Sequence, residues 1–250
     1  MVPSISVVIP AKNEQGNIGK LVAEIAQNLQ AYKQVEIIIT DDGSTDQTVQ
    51  EALESAAKCQ CSLQVLSHKQ SCGQSTAVLT GVKHAKGLWI ITSDADGQND
   101  PSDMPAMIEA AAKIENPHFC VAGFRATRKD TPWIRFQSKV ANNIRHYLLG
   151  DGVPDSGCGL KVIPKETYLQ LPYFDHMHRF LPALIKRIGG EIVVHQVKHR
   201  NREAGVSNYN ARNRAWVGIV DVFGVMWLTR RAKIPEVLDA NAVNSTSDRS

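Results

Sequence analysis

Leu88-Trp89-Ile90-Ile91-Thr92-Ser93-Asp94-Ala95-Asp96-Gly97-Gln98-Asn99-Asp100-Pro101 is the stretch on which the reading of this chain turns. Leu88 to Thr92 is an apolar run too short for a helix, so it reads as a buried strand. It stops in two acids and a glycine. Asp100-Pro101 then has the form of a helix cap followed by proline at the first helical position. Strand, polar turn and helix in direct succession make the repeating unit of an α/β sheet. The same unit recurs upstream. Ile5 to Ile9 is a strand closed by Pro10, and Asn17 stands as cap to a helix whose Leu21, Val22, Ile25 and Leu29 fall at helical spacing. Val35 to Thr40 is a second strand, and Ser44-Thr45-Asp46-Gln47 has capping-box spacing before the next helix. A strand near Leu63 to Leu66 precedes a helix near Gln74 to Ala85, and Phe119 to Ala122 is one more strand. Such alternation implies an α/β fold with a mostly parallel sheet and helices on both faces.

In sheets of this kind ligands bind beyond the carboxyl ends of the strands. Three polar segments sit there: Pro10-Ala11-Lys12-Asn13-Glu14, Asp41-Asp42-Gly43 and Asp94-Ala95-Asp96. Asp94, Asp96 and Gln98 are oxygen donors at alternate positions, and alternate positions of an extended chain share a face. Carboxylate and amide oxygens in reach of one point suit a hard cation, Mg²⁺ or Mn²⁺. The same residues also suit an acidic surface turn, since Asp and Gly are common turn residues. Asp42 can accept hydrogen bonds from a base or ribose, or serve only a tight turn.

The second half is less regular. Trp133 to Leu149 reads as a helix with Arg135, Ser138 and Asn142 on a polar stripe, and residues 191–197 read as a strand. Trp216 to Leu228 is strongly apolar and flanked by Arg212, Arg214, Arg230, Arg231 and Lys233, as suits a helix lying in the interface of an anionic membrane. A core or dimer helix is the competing reading. Asp239 to Ser250 is a polar tail expected to be disordered. The expected division is a catalytic domain over 1–211, an amphipathic interfacial or oligomerisation helix over 212–235, and the tail over 236–250.

Composition narrows the functional classes. The net charge of +3 is too small to imply nucleic acid. Five cysteines without a C-x-x-C pair point to a reducing compartment. No signal peptide is visible, and no apolar run reaches the ~18 residues of a membrane span. The expected location is cytoplasmic, peripheral to the inner face of the cell membrane. A P-loop is absent in its usual G-x-x-x-x-G-K-[ST] form.

Together the motifs resemble family 2 glycosyltransferases of the GT-A fold. The matching pieces are Pro10 to Glu14, Asp41 to Asp46, and Asp94 to Gln98 with Pro101. Gln98 after the D-x-D makes the chain similar to polyprenyl-phosphate sugar synthases, such as dolichyl-phosphate mannosyltransferase and its bacterial relatives. Further matches are Gly123-Phe124-Arg125, Trp133 with Arg135 and Ser138, Asp155 to Gly159, Met177 to Pro182, and His199 to Arg202 with Gly205 and Ser207.

The resemblance implies roles. Pro10, Ala11, Lys12, Glu14 and Asp42, with Asp94-Ala95-Asp96, would receive the nucleotide sugar. Asp94, Asp96 and Gln98 would hold the metal. Arg125, Arg135, Arg202 and Ser207 would gather round phosphates, as arginine forks match phosphate oxygens. His178 and Arg179 would touch the acceptor phosphate. Asp96, Arg125 and Asp155 would serve catalysis; Asp155 is the nearest candidate for a base, or else orients an arginine or the acceptor. The family usually has an aromatic residue in place of Lys12 and a lysine in place of Asn208. The implied activity is inverting, metal-dependent transfer from a UDP- or GDP-sugar to a polyprenyl phosphate, probed against a soluble or glycan acceptor as the alternative. A membrane protein partner or a homo-oligomer is a further expectation, and a non-catalytic nucleotide- or membrane-binding protein of the same fold is the remaining class.

Overall fold

A computed structural model of the protein describes residues 2–126, 145, 147–200, 211–233 and 235, with the backbone alone over 211–217. The strands are β1 (Ile5–Ala11), β2 (Val35–Asp41), β3 (Leu63–Ser67), β4 (Trp89–Thr92), β5 (Phe119–Arg125), β6 (Lys161–Pro164) and β7 (Glu191–Val197). The helices are α1 (Ile18–Asn28), α2 (Thr48–Cys59), α3 (Gln74–His84), α4 (Met104–Ala111), α5 (Lys165–Gln170), α6 (Leu181–Arg187) and α7 (Ala211–Arg230). The strand order is β3-β2-β1-β4-β6-β5-β7. Only β6 runs against its neighbours, lying antiparallel to both β4 and β5.

The alternation of side chains along each strand separates two cores. Val7, Ile9, Ile37, Ile39, Ile91, Phe119 and Val121 face α1, α2 and α4. Val8, Ile38, Ile90, Cys120 and Ala122 face α3, α5 and α6, together with Val225 of α7. Strands buried on both faces explain the near-continuous apolar runs in the sequence. Each fully buried Ile or Val side chain stabilises by about 1.5–3 kcal/mol.

Several expectations change in detail. β6, α5 and α6 are additions to the second half, because runs of four to seven residues carry too little periodicity to read. α2 starts at Thr48, and Ser44 is not its cap: the Ser44 hydroxyl accepts from Asn13 N (2.9 Å), while Asp46 accepts from Thr48 N (3.0 Å) and Thr48 Oγ1 (2.5 Å). Asp100 does cap, accepting from Ser102 N ahead of Pro101. α7 is not amphipathic in the ordinary sense. Val222 and Val225 pack inward while Ile219, Val220, Phe223 and Trp227 are exposed, so its described turns are apolar on both sides. The expected helix from Trp133 lies outside the described residues except at 145 and 147–149.

Candidate functional site

Parallel pairing of Ala11 with Asp41 and of Val8 with Thr92 brings the carboxyl ends of β1, β2 and β4 to one edge. The two loops leaving β1 and β2 brace each other there. Thr45 N donates to Asn13 Oδ1 (2.8 Å) and Glu14 N to Thr48 Oγ1 (2.8 Å), with Asn13 at φ +54°. Pro10 is half-buried, Ala11 buried and Lys12 exposed. Glu14 Oε2 accepts from Asn17 Nδ2 (2.9 Å).

Asp42 braces the loop that follows β3. Its carboxylate accepts from Cys72 N (2.7 Å), Gly73 N (2.9 Å) and Ser71 Oγ (2.6 Å), and His68 Nδ1 lies 2.8 Å away. Burial alone would raise its pKa, but these donors outweigh burial and hold it below the usual carboxylate range. The carboxylate is filled from inside and fixes the loop that leads into α3.

The acidic corner is a turn rather than the strand extension that alternate spacing suggested. β4 ends at Thr92, and Gly97 takes φ +73°, a conformation that favours glycine. Asp96 Oδ1 accepts from Gln98 N (3.1 Å), which closes the turn. Asp94 Oδ1 accepts from Gln74 Nε2 (2.9 Å), and Asn99 Nδ2 stands 3.4 Å from Oδ2. Gly159 forms the wall behind: a Cβ there would lie 2.3 Å from Asp94 Oδ2. Burial and then the neighbouring Asp96 push the Asp94 carboxyl up, against the opposing pull of Lys161, Arg125 and Asn99. Lys161 is itself buried in β6 and donates to the Cys158 carbonyl. Two carboxylates close together in a partly shielded turn suit a hard divalent cation such as Mg²⁺ or Mn²⁺, which would take the place of the nitrogen donors now on Asp94.

Arg125 ends β5 and faces Asp155. Nε donates to Oδ2 (2.6 Å) and Nη2 to Oδ1 (2.9 Å), and the Arg125 backbone N–H adds a third contact at 3.3 Å. Side-chain exposure is 12% and 8%, so the pair is fixed rather than fluctuating. With both oxygens on the guanidinium, Asp155 holds the orientation of Arg125 in this structure.

The chain after β7 is stapled to the acidic turn. Asn99 and His199 form a bridge, Arg200 N donates to the Gln98 carbonyl (3.0 Å), and Arg200 pairs with Glu24 (2.6 Å) and Asp100 (2.7 Å). Arg202 and Ser207 follow but, like Arg135, lie outside the described residues. His178 sits in the Met177–Arg179 turn with Nδ1 2.8 Å from Ser75 Oγ, which joins that turn to α3. Gln74 and Lys161 were not singled out from sequence. A glutamine opening a helix at the carboxyl edge, and a lysine inside the apolar run Leu160 to Ile163, are the signals that would have found them.

Comparison with known proteins agrees with this geometry. The model of glycosyl transferase family 2 matches residues 6–171. The dodecaprenyl-phosphate galacturonate synthase of Rhizobium johnstonii is 33% identical over 90% of this chain and 67% of its own length. The undecaprenyl-phosphate 4-deoxy-4-formamido-L-arabinose transferase of Edwardsiella ictaluri is 31% identical over 82% of this chain and 62% of its own. The chain thus spans about two thirds of the length of these relatives. Among solved structures, glucosyl-3-phosphoglycerate synthase of Mycobacterium tuberculosis with Mn²⁺, UDP and phosphoglyceric acid shares the fold, with TM-score 0.67 at 22% identity over 94% of this chain and 80% of that one. The acidic turn at the carboxyl end of β4, the order of the sheet and a match running from β1 through α5 have one explanation: the chain belongs to glycosyltransferase family 2.

Proposed function

We propose that this glycosyltransferase moves a sugar from a nucleotide sugar to a polyprenyl phosphate at a membrane surface, with a divalent cation at Asp94, Asp96 and Gln98. The observation that carries the reading is the closed Arg125–Asp155 pair. It presents a guanidinium of set orientation and, among the described residues, ties the nearest candidate base, Asp155, to that guanidinium, which suits an acceptor that arrives ionised. A phosphate monoester has its second pKa near ~6 and is mostly dianionic at neutral pH. A sugar hydroxyl, by contrast, must lose a proton on attack. The curated relatives named above act on polyprenyl phosphates, which supports the same class of acceptor.

In this reading an acceptor phosphate oxygen attacks the anomeric carbon, and the bond from that carbon to the diphosphate oxygen breaks. No proton needs to move, and direct displacement inverts the centre. A cation bound at the acidic turn would neutralise charge growing on the leaving diphosphate. Arg125, held in place by Asp155, adds a fork of donors with its orientation already set. Arg135, Arg202 and Ser207 are proposed to join it at the phosphates, and His178 and Arg179 to receive the acceptor phosphate. Among the described residues no helix is long and apolar enough to cross a membrane. The exposed Ile219, Val220, Phe223 and Trp227 of α7, with Arg230, Arg231 and Lys233 beyond them, suit adsorption to an anionic leaflet, proposed to be the cytoplasmic one. Arg231 already lies 5.6 Å from the Trp227 ring centre.

The test is a transfer assay pairing UDP- and GDP-sugars with undecaprenyl phosphate, dolichyl phosphate or soluble sugars, with and without chelator. Chelator-sensitive labelling of a polyprenyl phosphate is expected. Labelling of soluble sugars alone would refute the acceptor, and turnover unaffected by chelation would refute the cation.

A further inference from the structure

The turn that includes His178 touches two partners at once. On one side it grips the start of α3. Tyr173 Oη lies 2.7 Å from Thr76 Oγ1, His178 Nδ1 lies 2.8 Å from Ser75 Oγ, and His178 N donates to the same hydroxyl at 3.3 Å. A Cβ on Gly73 would stand 3.5 Å from Asp175 Oδ1. Gly73, Ser75 and Thr76 are thus set against this segment, while Gln74 between them reaches Asp94. On the other side the segment meets α7 at Asp221, whose Oδ2 lies 3.3 Å from His176 Nδ1, with Arg179 near enough to act on the same carboxylate.

Asp221 is a carboxylate on a helix that is apolar around it. Val220 and Val222 flank it, and Phe223 and Val225 lie on the same and following turns. Its side chain is 17% exposed, so it points inward while Ile219, Val220, Phe223 and Trp227 point out. Burial raises the Asp221 carboxyl, His176 and Arg179 oppose that, and Asp175 adds to it. Turning a carboxylate inward costs solvation, which a purely apolar contact would avoid. His176 takes φ +63°, held there against the preference of most side chains. Both features work against stability and both converge on one contact.

We infer that the Asp221–His176 pair is a strut that fixes the depth of the catalytic turn relative to the bilayer on which α7 lies. Asp221 and His176 are assigned as positioning residues that act through the turn bearing His178. The inference rests on the proposed seating of α7 on a membrane. The path is short and made of packed groups, from α7 through His176 to the 173–178 segment, then the start of α3, then Gln74 and Asp94. A lipid phosphate is held at the height of the membrane surface, whereas a soluble acceptor finds the site at any height. The strut therefore matters only for the embedded acceptor.

The experiment compares wild type, Asp221→Asn and His176→Asn in the full chain. Asparagine tolerates the left-handed region, so H176N keeps the backbone. Each protein is assayed with a water-soluble short-chain polyprenyl phosphate and with undecaprenyl phosphate in anionic vesicles, and its sedimentation with those vesicles is measured. Both variants are expected to keep short-chain kcat within about twofold and to sediment like wild type. Their kcat on vesicle-borne acceptor should fall about 10- to 100-fold, the scale of a misplacement near 1 Å. Equal losses on both acceptors would mean a merely structural role and overturn the inference, as would no loss on either. Wild-type protein that stays in the supernatant refutes the membrane reading, and wild-type protein that labels neither acceptor refutes the acceptor reading; each takes the strut with it.

Discussion

Gly159→Ala puts the acidic turn to the sharpest test. Gly159 has no positive φ, so alanine costs nothing in backbone conformation and the effect is one of space alone. The added Cβ would stand 2.3 Å from Asp94 Oδ2, 2.4 Å from Cγ and 2.6 Å from Oδ1, where such contacts essentially never fall under 3.0 Å. The Asp94 carboxylate must retreat by roughly 0.7 Å or turn about χ1. Either motion strains or breaks its 2.9 Å bond from Gln74. Losing a hydrogen bond to a charged group costs about 1.5–3 kcal/mol, and an off-rotamer side chain about 0.5–1.5 kcal/mol. A net destabilisation of about 2–4 kcal/mol follows, and Tm should drop by roughly 5–10 °C. Catalysis should suffer in addition. A displaced donor at the cation corner should lower kcat by about 100-fold, or ~2.7 kcal/mol of barrier. Steady-state transfer kinetics alongside thermal unfolding separate the two effects. A variant with kcat within threefold of wild type would refute the idea that the position of Asp94 governs turnover.

Asp155→Ala strips Arg125 of its partner in a shielded place and should cost about 3–5 kcal/mol in urea unfolding, with kcat falling as Arg125 loses its orientation; an unchanged midpoint would contradict the fixed pair. Asp42 has a folded pKa depressed below its unfolded value of about 3.9, so its contribution is full above that value and is lost as pH falls through the folded pKa. Asp42→Asn should therefore lower stability at neutral pH and flatten the acid limb below about pH 4, as read by denaturant midpoints across pH. Phe223→Ser with Trp227→Ser removes side chains that are 53% and 59% exposed, so vesicle binding should weaken by about tenfold or more while Tm holds. Unchanged binding would place the membrane contact elsewhere.

The first half of the fold was legible because its strands are buried on both faces and its turns carry acids, glycine and proline at the ends of apolar runs. Leu88 to Asp100 alone gave a strand, a polar turn and a cap. The second half was not legible in the same way. β6 is four residues long, and the charge at its first residue, Lys161, breaks the apolar pattern from Leu160 to Ile163 that would mark it. Within the site, sequence named the acids but not what they touch. Asp42 looked available because nothing local shows that the 68–73 loop folds back to fill it. Asp155 stood open between a base and the orienter of an arginine, because its partner, Arg125, is 30 residues away. Spacing suggested that Asp94, Asp96 and Gln98 share a strand face, whereas the Asp96 carboxylate bends the chain by accepting from Gln98 N. Side chains that close turns onto themselves follow local rules, and those that meet across the sheet do not.

The reversed β6 also sets when the site can exist. Synthesis delivers Asp94 and Asp96 with the β1–β4 half, whose parallel strands pair among themselves. β5 has no neighbour in that half; its partners are β6 and β7. Gly159, the wall behind Asp94, and Lys161, the ammonium beneath it, enter only when β6 slots between β4 and β5. A chain still emerging from the ribosome thus carries both acids without the surroundings that hold them together. A cation proposed for this corner would find its full surroundings only after β6 has paired between β4 and β5.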